Sequence, residues 1–162
     1  MATKNTNLSV YDKATIPNAK NFRFGILVSE WNETITNGLY EGAVQALMEN
    51  GALPENIVKW DVPGSFELIY ASKKMAASEQ FDAVIAVGSV IKGETKHFDF
   101  VCDGVTQGLK DLNIQFETPV IFCVLTDDTM EQSIARSGGK YGNKGIECGI
   151  AAIKMAAIKN LT

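Results

Sequence analysis

The sequence predicts an α/β domain in three layers, an α/β/α sandwich built on an open, four-stranded parallel sheet. Three observations lead there. Strand-like and helix-like segments alternate as βαβαβαβα with one further helix, the order expected of parallel strands crossed by helices. The segments "DAVIAVGSVI" (82–91) and "PVIFCVLT" (119–126) are apolar at successive residues, so both of their faces call for cover. The chain has 162 residues, 46% hydrophobic and 21% charged, which suits one domain with a real core.

Each element has its own justification. "FRFGILVS" (22–29) is the first strand. A helix over about 34–50 follows, with Ile35, Leu39, Ala43 and Leu47 spaced by four on one face and Gly51 in the C′ position. A second row of small residues, Gly38, Gly42 and Ala46, is expected to pack closely on the sheet. "NIVKWDV" (56–62) is the second strand, broken by Pro63-Gly64, and a helix covers about 65–78. The third strand (82–91) leads through "KGETK" into a helix over about 97–112, and the fourth strand (119–126) is the expected far edge of the sheet. Asp128, with Glu131 three residues on, forms an acidic capping box for a helix that stops at Gly138-Gly139. Asn143 caps the last helix, whose inner face is expected at Ile146, Ile150, Ile153 and Ala157.

Composition removes several classes of function. No apolar run reaches the roughly 18 to 20 residues a membrane helix needs. Residues 1–20, "MATKNTNLSVYDKATIPNAK", lack the apolar stretch of a signal peptide. They read as a mobile arm or an exchanged strand ahead of a single domain over 21–162, in a cytoplasmic protein. Cys102, Cys123 and Cys148 are odd in number and stand in apolar contexts, so they are expected as core thiols. With one histidine in the chain, a His-rich metal site is excluded, and no metal is expected. A net charge of −4 argues against nucleic acid, but not against a small anion met by a few local cations.

In an open parallel sheet, ligands bind beyond the carboxyl ends of the strands. The segments to examine are therefore "SEWNE", "VPGSFE", "VIKGETKHF" and "TDDTMEQ". "GSVIKGETKHF" (88–98) looks at first like a P-loop, with Gly88 and Gly93 spaced by five and Thr95 in the hydroxyl position. Glu94 stands where the P-loop lysine belongs, and a carboxylate cannot reach for nucleotide phosphates, so nucleoside triphosphate chemistry fails here. Backbone N–H groups at a helix start still bind anions without a lysine. Gly93, Glu94 and Thr95 can thus hold a phosphate monoester, although Glu94 also fits a solvated first-turn acid. His97 is either a structural residue at a helix start or the proton carrier beside that anion, because histidine changes charge near neutral pH. Trp31 either covers a helix end or forms a flat wall for an aromatic ligand. Asn32 reads as a helix N-cap first and a ligand contact second. Phe66 reads as core and Glu67 as a first-turn acid when each is taken alone.

Taken together, "SEWNE", "VPGSFELIYASKKMA", "FDAVIAVGSVIKGETKHFDFV" and "PVIFCVLTDDTMEQSIARSGGKYGNKGIE" closely resemble the lumazine synthase (6,7-dimethyl-8-ribityllumazine synthase) family, from about Phe22 to Ile158. The resemblance implies a flavodoxin-like fold and a cofactor-free enzyme. It condenses 5-amino-6-(D-ribitylamino)uracil with 3,4-dihydroxy-2-butanone 4-phosphate to give 6,7-dimethyl-8-ribityllumazine, phosphate and water, the penultimate step of riboflavin biosynthesis. It implies that Trp31 stacks on the pyrimidine, with Asn32, Val90 and Ile91 beside the ring. Ser65, Phe66 and Glu67 would hold the ribityl chain, Gly93, Glu94 and Thr95 the phosphate, and His97 would move protons. A second subunit would supply Phe122, Arg136 and Lys144. Members of the family form pentamers, and some pentamers join into decamers or icosahedral shells. "SGGKYGNKG" carries no insertion between the last helices, which points to the shell.

Two departures stand out. Many members carry Phe where this chain has Trp31, and Lys96 stands where small residues or Pro are common; the larger indole is expected to grip flavins better. Two other readings keep the fold and change the activity: a riboflavin synthase of the archaeal type, and a non-catalytic flavin-binding or shell-forming protein.

Overall fold

A computed structural model describes residues 7–161; residues 1–6 of the expected N-terminal arm lie outside the described residues. The four main strands are β1 (Phe24–Ser29), β2 (Ile57–Val62), β3 (Ala83–Ile91) and β4 (Val120–Asp127). They are all parallel, in the order β2-β1-β3-β4. The helices are α1 (Glu33–Glu49), α2 (Leu68–Ala77), α3 (His97–Gln115), α4 (Met130–Arg136) and α5 (Lys144–Lys159). This is the three-layer arrangement that the alternation predicts, and the flavodoxin-like fold that the resemblance implies.

The chain runs outward from β1 to β2, then returns past β1 to β3 and on to β4. A right-handed crossover puts its helix on opposite faces for the two directions. Accordingly α1 and α5 cover one face, packing on Ile26, Val28, Ile85, Val87 and Leu125. Helices α2 and α3 cover the other, packing on Leu27, Val84, Ala86 and Val124. Every residue of β1 and the first seven of β3 are buried. On β4, however, Phe122 and Thr126 are exposed although the strand is apolar. The strand lies at the sheet edge, where α3 covers it only in part.

Several local expectations are corrected. The row Gly38, Gly42 and Ala46 meets α5 and the segment before it, not the sheet. A Cβ at Gly38 would lie 2.7 Å from the Ser137 carbonyl oxygen, and one at Gly149 would lie 2.9 Å from both Ala43 O and Ala46 Cβ. Helix α4 is capped by Thr129, whose hydroxyl accepts from the Gln132 N–H, rather than by Asp128. Its extended backbone (φ −138°, ψ 157°) aims the shorter side chain back at the first turn. Helix α4 ends at Arg136, ahead of Gly138-Gly139, and two short antiparallel strands, β5 (Ser137–Gly139) and β6 (Gly142–Asn143), form a hairpin there. On α5 the deeply buried residue is Ala156, while Ala157 is half-buried. Cys123 and Cys148 are buried, but Cys102 is only half-buried on α3.

Asn143 ties this region together. Its Oδ1 accepts from Gly145 N–H at 2.8 Å, capping α5 as expected, and its Nδ2 donates to Gly38 O at 2.8 Å. Its backbone N–H donates to Ser9 Oγ at 2.9 Å. Within residues 7–20, Leu8 and Ala19 are buried, and the Tyr11 hydroxyl donates to Glu49 on α1 at 3.0 Å.

Candidate active site at the carboxyl ends of the strands

The direction of the connections reverses between β1 and β3. After β1 the chain crosses to α1 on one face; after β3 it crosses to α3 on the other. The two loops part there and leave a crevice, the usual ligand position in such sheets. A cavity of about 710 Å³ opens at this point.

Trp31 and Asn32 enter it from the end of β1, and Ser89, Val90 and Ile91 from β3. Gly64, Ser65, Phe66 and Glu67 come from the turn before α2, and His97, Phe100 and Val101 from the start of α3. Trp31 is 72% exposed and Phe66 53%. Large aromatic faces left in water beside an apolar strand end favour a flat, partly apolar ligand. Asn32 occupies the cap position of α1 in the left-handed region (φ 60°, ψ 47°), which Asn tolerates better than most residues. Its side chain caps nothing; Nδ2 donates to Ser89 O at 3.0 Å. The amide thus bridges β1 to β3 across the crevice and fixes its floor.

Glycines on three elements make room for these walls. A Cβ at Gly64 would lie 2.9 Å from the Glu67 carboxylate and 3.4 Å from the Trp31 ring. One at Gly88 would lie 2.7 Å from Ser65 Oγ, and one at Gly104 2.7 Å from the Phe66 ring. Ser65 is buried, and its hydroxyl, like those of Ser29 and Ser89, has no hydrogen-bond partner among the described residues.

Gly93, Glu94 and Thr95 lie on the exposed turn between β3 and α3 and do not line the cavity. Thr95 Oγ1 accepts from the His97 N–H at 3.3 Å, which takes up one N–H of the α3 start and leaves the hydroxyl proton free to donate. A Cβ at Gly93 would meet nothing within 4 Å, so the backbone of this turn is open to approach.

Phe122, Arg136 and Lys144 also stand outside the cavity. Phe122 is 37% exposed on the edge strand β4. Lys144, half-buried at the start of α5, donates to Glu147. Burial pulls its pKa down, but the Glu147 hydrogen bond and the neighbouring Cys148, Glu147 and Cys123 outweigh this and leave it raised. Cys123 is pushed well up by its Cys148 neighbour and by burial, so that thiol is an inert core group. Arg136, at the end of α4, donates from Nη1 to Gln132 O at 2.9 Å and lies over the Tyr141 ring at 5.2 Å.

Sequence reasoning missed Gly64, Ser89, Phe100 and Val101 as lining residues. Phe100 and Val101 follow His97 by three and four residues, the helical spacing that shares a face, and that signal was available. Ser89 holds Asn32 through its backbone carbonyl, which no side-chain pattern announces.

The family model described as 6,7-dimethyl-8-ribityllumazine synthase matches residues 21–160. A 6,7-dimethyl-8-ribityllumazine synthase of Christiangramia forsetii is 71% identical over 98% of this chain and 95% of its own length. One from Flavobacterium johnsoniae is 67% identical over 98% of this chain and 84% of its own. One from Parabacteroides distasonis is 52% identical over 96% of this chain and 97% of its own. Family, fold and crevice agree: the chain belongs to the 6,7-dimethyl-8-ribityllumazine synthase family.

Proposed function

We propose that this chain is the enzyme that joins 5-amino-6-(D-ribitylamino)uracil to 3,4-dihydroxy-2-butanone 4-phosphate, giving 6,7-dimethyl-8-ribityllumazine, phosphate and water in riboflavin biosynthesis. The observation that carries the reading is the gathering of Trp31, Asn32, Ser65, Phe66, Glu67, Val90, Ile91 and His97 around one crevice, in a chain of this family. A pyrimidine ring lies against the indole and the Val90-Ile91 strand end. The ribityl chain runs to Ser65, Phe66 and Glu67, whose hydroxyl, carboxylate and N–H groups suit a polyol.

The amine of one substrate attacks the ketone of the other, an imine forms with loss of one water, phosphate leaves, and the ring closes on the second carbonyl with loss of a second water. Holding both partners in one crevice supplies much of the rate, because the encounter becomes intramolecular. His97, at the lip between the ring pocket and the Gly93–Thr95 turn, carries protons for imine formation and elimination. The turn takes the phosphate with backbone N–H groups and the Thr95 hydroxyl. Among the described residues no lysine or arginine lines the cavity: Arg136 and Lys144 stand elsewhere on this chain. A cyclic homo-oligomer, a pentamer that assembles further into an icosahedral shell in the cytoplasm, brings Phe122, Arg136 and Lys144 of one subunit to the crevice of the next, as a head-to-tail interface does. Among the described residues no helix is long and apolar enough to cross a membrane.

Complementation tests the shared site. With the phosphate-bearing substrate well below its wild-type KM, a Thr95→Ala/His97→Ala chain and an Arg136→Ala chain are each strongly impaired alone. Unfolded and refolded together, they form some interfaces with both intact halves, and lumazine formation returns to a sizeable fraction of the wild-type rate. Hetero-oligomers confirmed by size exclusion that remain inactive would place Arg136 outside the neighbour's site.

A further inference from the structure

Asp127 is the last residue of β4 and is only 8% exposed. A carboxylate this deep needs partners that match its charge and lone pairs. The Ser133 hydroxyl, itself fully buried on α4, donates to Asp127 Oδ2 at 2.7 Å. Asp127 Oδ1 lies 3.8 Å from Arg136 Nη1. That nitrogen also donates to Gln132 O at 2.9 Å, and the guanidinium stacks over Tyr141 at 5.2 Å. One edge of the guanidinium is thus tied to its own chain and one face is covered. The Arg136 side chain is 29% exposed, so part of the planar fork stays open to a ligand. Such a fork recognises phosphate in a fixed, two-pronged geometry.

The backbone of Asp127 is held as well. Its carbonyl accepts from Lys92 N–H at 3.0 Å, on the stretch of chain that leaves β3 for Gly93–Thr95. The carboxylate therefore sits on the frame that carries the turn in one chain and Arg136 in the same chain.

We propose that Asp127, oriented by Ser133, is a positioning residue that sets the guanidinium of Arg136 for the phosphate group of the substrate. This rests on the reading of Arg136 as a phosphate contact. Asp127 touches no substrate; it acts through Arg136, by restricting a long side chain that would otherwise sample many rotamers.

The test is steady-state kinetics of Asp127→Asn, Ser133→Ala, Arg136→Ala and Asp127→Asn/Arg136→Ala, with inorganic phosphate as a competitive probe and melting temperature as a fold check. Arg136→Ala is expected to raise the KM of the phosphate-bearing substrate by about tenfold or more, as loss of a charged hydrogen-bonding partner does. Asp127→Asn should raise the same KM, and the inhibition constant of phosphate, about three- to tenfold through loss of orientation. The KM of the ribitylamino substrate should hardly move. The double variant should match Arg136→Ala alone, because a residue acting through another adds nothing once that other is gone. A merely structural role for Asp127 would lower the melting temperature without this selective KM change, and that result overturns the proposal. So does a double variant weaker for phosphate than Arg136→Ala. If Asp127→Asn does not fold, Ser133→Ala, which frees the carboxylate but keeps its charge, carries the same comparison. An Arg136→Ala enzyme with wild-type KM would instead defeat the reading of Arg136 itself.

Discussion

A single methyl group at Gly104 tests whether the Phe66 ring shapes the crevice. An alanine Cβ there would lie 2.7 Å from Phe66 Cε2, with the next ring atoms at 3.5 and 3.7 Å. Carbon atoms rest comfortably at about 3.5 to 4.0 Å, so the ring must withdraw by roughly 1 Å. Phe66 sits on the turn before α2 and is 53% exposed, so it can yield without opening a core cavity. Overpacking of a rigid core costs about 1 to 3 kcal/mol, but a yielding ring keeps this near the low end. Alanine also gains up to about 1 kcal/mol over glycine inside a helix. The two nearly cancel, and denaturant midpoints should change little. Activity should not be spared. A shift of about 1 Å in a positioning group can lower rates by up to about 10²-fold. A tenfold loss in kcat/KM, about 1.4 kcal/mol of transition-state binding, is the expected size for one wall of several. In a Phe66→Ala background the methyl meets no ring, and Gly104→Ala should then change kcat/KM less than about twofold. Wild-type kcat/KM in a folded Gly104→Ala enzyme, or an equal loss in the Phe66→Ala background, would refute the reasoning.

Other expectations follow from the same geometry. At Gly145 a Cβ would overlap the Leu39 carbonyl oxygen, so Gly145→Ala should destabilise by about 1 to 3 kcal/mol or more, read as a lower denaturant midpoint; an unchanged midpoint would mean that α1 and α5 are not in backbone contact. His97→Ala should slow lumazine formation by about 10- to 10³-fold and flatten the rate profile near neutral pH; a wild-type rate and profile would return His97 to a structural role. Glu49 is held below the usual carboxylate range by hydrogen bonds from Gln45 and then Tyr11. A lowered folded pKa contributes stability above the unfolded value, about 4.3, and that contribution is lost as pH falls through the folded value. Because Glu49 is exposed, the effect is small and local. Amide exchange at Leu8 and Ala19 should be slower in wild type than in Glu49→Gln at neutral pH, and the difference should vanish in acid; a difference independent of pH would rule out the Tyr11–Glu49 link as its source.

The sheet and its layers were legible because burial on both faces writes an unbroken apolar run, as in Ala83–Ile91. The small-residue row of α1 was legible as close packing but not as to its partner, since glycines spaced by four serve a sheet and a helix equally well. Between Asp128 and Thr129 the sequence offered two good caps, and only backbone geometry chose. Strands as short as Gly142–Asn143 carry no period to read. In the crevice, the rule that ligands bind past strand ends found Trp31, Asn32, Phe66, Glu67 and His97. Phe100 and Val101 share the helical face of His97, a signal that was present but looks like any other amphipathic spacing. The roles proposed for Arg136 and Lys144 could not come from spacing within one chain, because neither residue lines the crevice of its own chain.

The junction at Asn143 has a consequence for synthesis. Its bonds to Ser9 and Gly38 span 134 and 105 residues of chain. Contacts so distant in sequence close late. Helix α5, which Asn143 caps, covers Ile26, Val28, Val87, Cys123 and Leu125 with Cys148, Ile150 and Ile153. While the ribosome is still adding residues at about 5 to 20 per second, β1, β3 and β4 can pair and α2 and α3 can dock. On the other face α1 can dock early, but the part of the sheet that α5 covers stays bare until α5 emerges. For those seconds the nascent chain presents a broad apolar surface to its surroundings, the interval in which it is most open to a chaperone or to another unfinished copy of itself.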